Sequence, residues 1–95
     1  MKETDESIIA RVLDGDRKAY AQLVDRYKDR VFSLIMGIVR HRETAEELAL
    51  DVFVKAFKGL KKFRREASFS SWLYRIAYNT AVSESRKKRK RYQKI

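Results

Sequence analysis

Between Met1 and Ile95 there is no proline, and glycine occurs only at Gly15, Gly37 and Gly59. Proline breaks a helix from within, because it removes an amide donor and clashes with the preceding turn. A chain that lacks it, and whose apolar residues recur at spacings of three and four, is directed toward helices. No stretch alternates with the period of two that a half-buried strand requires. The spacing predicts helices over about residues 5–14, 17–40, 44–60 and 70–90, an all-α fold in the form of a compact bundle of about four helices.

In the first helix Ile8, Ile9, Val12 and Leu13 share a face, and Gly15 closes it. Asp16 reads as the cap of the second, whose stripe comprises Ala19, Tyr20, Leu23, Val24, Tyr27, Val31, Leu34, Ile35 and Ile38. Thr44 and Glu47 match a capping box, in which two side chains satisfy each other's unpaired amides, and so mark the start of the third. Its stripe is Ala45, Leu48, Ala49, Val52, Phe53, Ala56, Phe57 and Leu60. Ser68 or Ser70 caps the fourth.

A chain of 95 residues makes one domain with one modest core, too small for a deep cleft around a large substrate. The absence of cysteine excludes disulfides and thiolate metal sites and makes a reducing cytoplasm the natural compartment. The lone His41 cannot build a zinc site and is expected to be an exposed turn residue. The charged N-terminus is no signal peptide, and the longest apolar run, Leu34–Val39, is too short to cross a bilayer. With no cysteine nucleophile and no glycine-rich phosphate loop, no catalytic constellation is present, and neither an enzyme nor a cofactor is expected. Glu43, Glu46, Glu47 and Asp51 read as a solvated helix face, not as a metal site.

The net charge of +10 is unevenly placed. Residues 1–54 carry nine Lys/Arg against eleven Asp/Glu, whereas residues 55–95 carry fourteen against two. Such asymmetry implies two surfaces with different partners, the C-terminal one a polyanion. On a helix advancing 100° per residue, Trp72, Arg75, Asn79, Ser83 and Arg86 form one stripe, while Leu73, Ala77 and Thr80 turn away. An indole, a guanidinium, a carboxamide and a hydroxyl in a row can stack on a base, neutralise a phosphate and hydrogen-bond to base edges. Trp72 is also readable simply as a core residue. The preceding loop adds Lys62, Phe63, Arg64, Arg65, Ser68 and Phe69 ahead of a helix N-terminus whose amides attract anions, suited to pocketing an unstacked base or to pinning the loop on the core. Arg86–Arg91 is a run of six cations that should fray the helix end unless an anion binds. Opposite the third helix's apolar stripe, Glu47, Leu50, Asp51, Val54, Lys55 and Lys58 place two aliphatics among charges, a surface suited to a partner helix.

From about Asp5 to Lys90 the chain resembles the second conserved region of bacterial RNA polymerase sigma factors of the extracytoplasmic-function group. The resemblance is carried by Gly15–Phe32 (GDRKAYAQLVDRYKDRVF), Thr44–Phe63 (TAEELALDVFVKAFKGLKKF) and Phe69–Ala81 (FSSWLYRIAYNTA) with the basic run that follows. It implies a transcription initiation factor domain over residues 1–91, with residues 92–95 beginning a linker. Docking on the clamp helices of core RNA polymerase would use Glu47, Leu50, Asp51 and Val54, with Lys55 and Lys58 on the same face. The non-template strand of the upstream, minus-ten promoter element would meet Phe63–Phe69, a loop that accepts a flipped-out base in this family, and Trp72, Arg75 and Asn79 behind it. It further implies an anti-sigma factor that covers these faces, and no membrane insertion.

Three features depart from the family's pattern. Family members often carry Asp, Gln and Glu where this chain has Glu47, Leu50 and Asp51, so the docking face is more apolar here. Glycine is common where Arg65 stands. The family carries a promoter-distal helix-turn-helix domain joined by a linker, and the sequence ends where that linker would begin, so a fragment or a naturally reduced protein without that domain is expected, one that binds polymerase and single-stranded promoter DNA without placing polymerase unaided. Two other readings remain open. A generic basic helical DNA- or RNA-binding module would lack polymerase affinity, and a protein-interaction module would act through its acidic N-terminal half.

Overall fold

The computed structural model describes residues 2–64 and 66–93, and in the last helix side chains as far as Lys88. Among the described residues there are four α-helices: α1 (Asp5–Leu13), α2 (Tyr20–Val39), α3 (Arg42–Gly59) and α4 (Phe69–Gln93). Short 3-10 turns at Arg17–Ala19 and Leu60–Lys62 lead into α2 and out of α3. The four-helix expectation holds, with boundaries moved by up to three residues.

Each boundary has a local cause. Thr4 caps α1, its hydroxyl accepting from the Ser7 amide at 3.1 Å, and Asp5 and Glu6 complement the positive end of the helix dipole. Gly15, at φ +110°, takes the left-handed turn that ends α1. Asp16 does not cap with its side chain as expected; its carboxylate accepts from the Arg11 guanidinium at 2.9 Å instead. Arg40, at φ 54°, closes α2, its amide donating to the Met36 carbonyl at 2.9 Å.

The capping box expected at Thr44 is a correction. α3 starts two residues earlier, at Arg42, and its cap is His41. The His41 ring nitrogen Nδ1 accepts from the Thr44 amide at 3.3 Å and lies 2.9 Å from the Thr44 hydroxyl. Exposed as expected, His41 thus has a structural task, and Thr44 is an interior partner of the cap.

The core is assembled where α2, α3 and α4 meet, with α1 laid across one end. Leu23, Val31 and Ile35 of α2, Leu48, Val52, Phe53 and Ala56 of α3, and Phe69, Leu73, Ala77 and Ala81 of α4 are buried together with Ile8, Ile9 and Val12 of α1. Ala45, Ala56, Ala77 and Ala81 are fully buried. Side chains this small let helix axes approach closely, and each large aliphatic in such a core contributes about 1.5–3 kcal/mol. Beyond Ala81 no described side chain of α4 is buried.

Three polar links tie the helices in place. The Tyr20 hydroxyl donates to the Phe53 carbonyl at 2.6 Å, and its burial raises the phenol pKa. Lys55 Nζ donates to Thr80 Oγ1 at 3.1 Å, joining α3 to α4. On α1, Asp5 accepts from Arg26 at 2.7 Å and from the Tyr27 hydroxyl. Burial, then that hydrogen bond, pushes the Tyr27 phenol up to about 12.

Two outcomes check this account. His41→Ala should lower stability by about 1 kcal/mol in urea titrations, whereas Glu47→Ala, which a capping box at Thr44 would make costly, should stay within about 0.5 kcal/mol of the parent. The second concerns alkaline pH. A phenol whose folded pKa lies above its unfolded value of about 10 contributes fully below that pH and loses the contribution on the way to its folded value. Stability measured from about pH 10 to 12 should therefore fall more steeply in the parent than in Tyr27→Phe.

Candidate nucleic-acid interface

The approach to α4 is set by Ser68. Its hydroxyl accepts from the Ser71 amide at 3.2 Å and its carbonyl from the Trp72 amide at 3.1 Å, which fixes where the helix begins. Ser68 is exposed, but its oxygen serves the helix start first, sharing further hydrogen bonds with Ser70 and Ser71 at 3.1 and 2.9 Å.

One helical turn later three aromatic rings meet. Phe63, extended at ψ 117° after the 3-10 turn, lies 5.0 Å from Trp72 and 6.0 Å from Phe69, and Phe69 lies 5.9 Å from Trp72. Their exposures separate their roles. Phe69 is only 1% exposed and also packs on Tyr27 at 5.7 Å. The placement of Phe69 among strand-contacting residues is therefore corrected: the ring is sealed in the core, beneath the site. Phe63 and Trp72 are half-buried, supported from below and open in part to solvent.

The α4 stripe is present as the helical spacing predicts. Arg75, Asn79, Ser83 and Arg86 are exposed, while Leu73, Ala77 and Thr80 face the core. Lys62 and Arg64 are exposed beside Phe63. Arg65, and the side chains of Arg89–Arg91 at the end of the basic run, lie outside the described residues.

The six predicted residues of α3 do not all face one partner. Leu50 is 70% and Val54 51% exposed, and Leu50 borders an open groove toward α2 whose apolar floor of Val24, Phe32, Ala49 and Phe53 is edged by Lys28, Asp29 and Glu46. Glu47 is exposed on the same side of the helix. Asp51 and Lys55 instead line an open groove toward α4, together with Asn79, Thr80 and Ser83. Lys58 belongs to a third groove, with Leu13, Arg17, Phe57 and Lys61 near the end of α1. Reasoning on one helix missed Lys55 as a neighbour of Asn79, because the spacing says nothing of which helix lies alongside. It also missed Lys87, which lines the α3–α4 groove. The signal for Lys87 was available, since it continues the four-residue step from Asn79 through Ser83.

Chemically the arrangement offers two half-buried π-faces, exposed guanidinium and ammonium groups and one carboxamide, arranged along α4. None of the described cations Lys55, Lys62, Arg64, Arg75 or Arg86 forms an ion pair with a carboxylate among the described residues. Such a surface is complementary to a single strand, whose bases stack and whose phosphates need neutralising.

The sequence profile of Sigma-70 region 2 matches residues 23–91. The chain belongs to this family. This chain has 39% identity over 80 residues to the RNA polymerase sigma-H factor of Pseudomonas aeruginosa, covering 84% of this chain and 42% of that protein. It has 41% identity over 78 residues to the ECF RNA polymerase sigma-E factor of Haemophilus influenzae, covering 82% and 41%. It has 37% over 84 residues to the ECF RNA polymerase sigma factor SigW of Bacillus subtilis, covering 88% and 45%. The chain thus spans less than half the length of these relatives. Among solved structures, it superposes with a TM-score of 0.85 on the NMR structure of an engineered region 2 of sigmaE in complex with GTAAAA, at 38% identity over 96% of this chain and 97% of that one.

The division between a sealed Phe69 and an open Trp72 is checked by stability. Phe69→Ala should cost about 3–5 kcal/mol in chemical denaturation, and Lys55→Ala less than about 1 kcal/mol, since an exposed amine bonded to one hydroxyl stabilises little.

Proposed function

We propose that this region 2 domain docks on core RNA polymerase and binds the non-template single strand of the minus-ten promoter element, helping to hold the promoter open. The observation that carries the reading is the two-sided build of α4. Its apolar face is committed to the core, and its opposite face aligns Trp72, Arg75, Asn79 and Ser83 behind a cationic loop. The likeness to a region 2 solved in complex with GTAAAA supports it.

In this reading Phe63 and Trp72 stack on bases as they leave the duplex, and the energy of stacking, about 1–3 kcal/mol per base, offsets the cost of unpairing. Asn79 offers both a donor and an acceptor to a base edge, so it can read sequence, whereas Lys62, Arg64, Arg75 and Arg86 contact phosphate and position the strand. Lys55, held beside Asn79 across the groove, joins the strand side. Leu50 and Val54, with Glu47, form the surface that meets polymerase, an apolar centre with acidic flank. A regulator of the anti-sigma kind would act by covering that patch. The chemistry of RNA synthesis belongs to polymerase.

Two measurements test the proposal. Against a fluorescent GTAAAA strand and a permuted strand, Asn79→Ala should weaken binding to the preferred strand by roughly 1–3 kcal/mol and to the other much less. Removing one of Lys62, Arg64 or Arg75 should weaken both equally and reduce the salt slope by about 0.7. Equal losses from Asn79→Ala on both strands would remove it from base reading. In a pull-down with core RNA polymerase, a Glu47→Lys/Leu50→Lys variant should lose the complex that the parent retains. Strand binding without any polymerase binding by the parent would support a generic basic nucleic-acid module instead.

A further inference from the structure

Gly59 ends α3 at φ −87°, ψ −2°, a conformation open to any L-residue. The backbone therefore does not require glycine here, unlike Gly15 at φ +110°. What glycine provides is space. A Cβ at Gly59 would lie 3.2 Å from Cζ2 and 3.4 Å from Cη2 of Trp72, tighter than ordinary carbon contact, so the indole would have to give way. The benzo edge of the indole thus rests directly on the backbone at the end of α3, with Phe63 5.0 Å away at its side. Gly37, by contrast, sits in α2 with nothing within 4 Å of its would-be Cβ.

We infer that Gly59 is a positioning residue for strand binding: the missing side chain lets Trp72 seat against α3, and that seat sets where the indole presents itself to a base. This rests on the strand-binding reading of Trp72 above. It makes position 59 a determinant of how this domain holds a base, although Gly59 itself touches no nucleotide. Any side chain there displaces the ring away from α3, because the backbone of a helix end is stiffer than a half-buried indole.

Trp72 is the single tryptophan of the chain, so intrinsic fluorescence reports its seat alone, without DNA. The experiment compares Gly59→Ala with Gly37→Ala, two changes that share the backbone effect of replacing a helical glycine and differ in what the new methyl meets. Gly59→Ala should shift the emission maximum and the near-ultraviolet circular dichroism while far-ultraviolet helicity is kept, and weaken binding of the GTAAAA strand by about threefold or more. Gly37→Ala should match the parent in both. In a Trp72→Phe background, which lacks the indole's outer ring atoms, Gly59→Ala should have no further effect on binding, as expected of two directly coupled residues. Unchanged emission in Gly59→Ala would overturn the inference, as would shifted emission with undiminished strand affinity. Shifted emission in a domain whose parent form fails to bind the strand would keep the seat and overturn the strand-binding reading instead.

Discussion

Everything at the proposed interface depends on how α4 is held. Phe69, Leu73, Ala77 and Ala81 recur every four residues and are all but fully buried, so the helix cannot rotate about its axis without lifting a large ring and a leucine out of the core. Each would cost about 2–5 kcal/mol to remove, a large share of what a small domain has in total. The polar stripe is thereby fixed by what lies on its reverse side. Small residues along the buried face bring α4 close to α3, which is why Lys55 of one reaches Thr80 of the other at 3.1 Å.

The aromatic rings are layered in the same way. Phe69 is the sealed base of the cluster, supported by Tyr27 of α2, whose hydroxyl is in turn held by Asp5 of α1. Phe63 and Trp72 rest on that base and keep part of their surface free. Rings held in place lose little freedom on binding a base, so a larger part of the stacking energy appears as affinity. Around them the described cations Lys62, Arg64, Arg75 and Arg86 form no ion pair with a carboxylate among the described residues. An unpaired surface charge contributes little to folding, but it releases counterions from a phosphate chain on contact, and this places the excess of positive charge on the binding side of the ledger.

Much of this was legible in the sequence, and the parts that were not share a cause. The absence of proline and the three-four spacing located every helix, and the α4 stripe came out as the helical projection predicts, because periodicity is a property of one element. Lys55 and Lys58 show the limit. They lie on one face of α3 by spacing, yet one borders α4 and the other the end of α1, since that face is flanked by different neighbours along its length. Phe69 shows it again: the loop's chemistry suited both a ring open to a base and one pinned to the core, and the location of Tyr27 and Phe63 decides that it is covered. At His41 the sequence suggested only an exposed turn residue, and the geometry makes its imidazole the cap, three residues ahead of the expected start at Thr44. The contact between Gly59 and Trp72 joins residues on different elements and leaves no trace in periodicity.

The account's central claim is that a single strand lies along α4 between the Phe63–Trp72 pair and the α3–α4 groove. Amide and indole chemical shifts of the isotopically labelled domain, followed by NMR as the GTAAAA strand is added, test it most directly. The account predicts that the largest changes fall on Phe63, the Trp72 indole, Arg75, Asn79 and Lys55, with Leu50 and Val54 undisturbed. Changes confined to the groove of Leu13, Arg17, Lys58 and Lys61, or to the basic run alone, would contradict it.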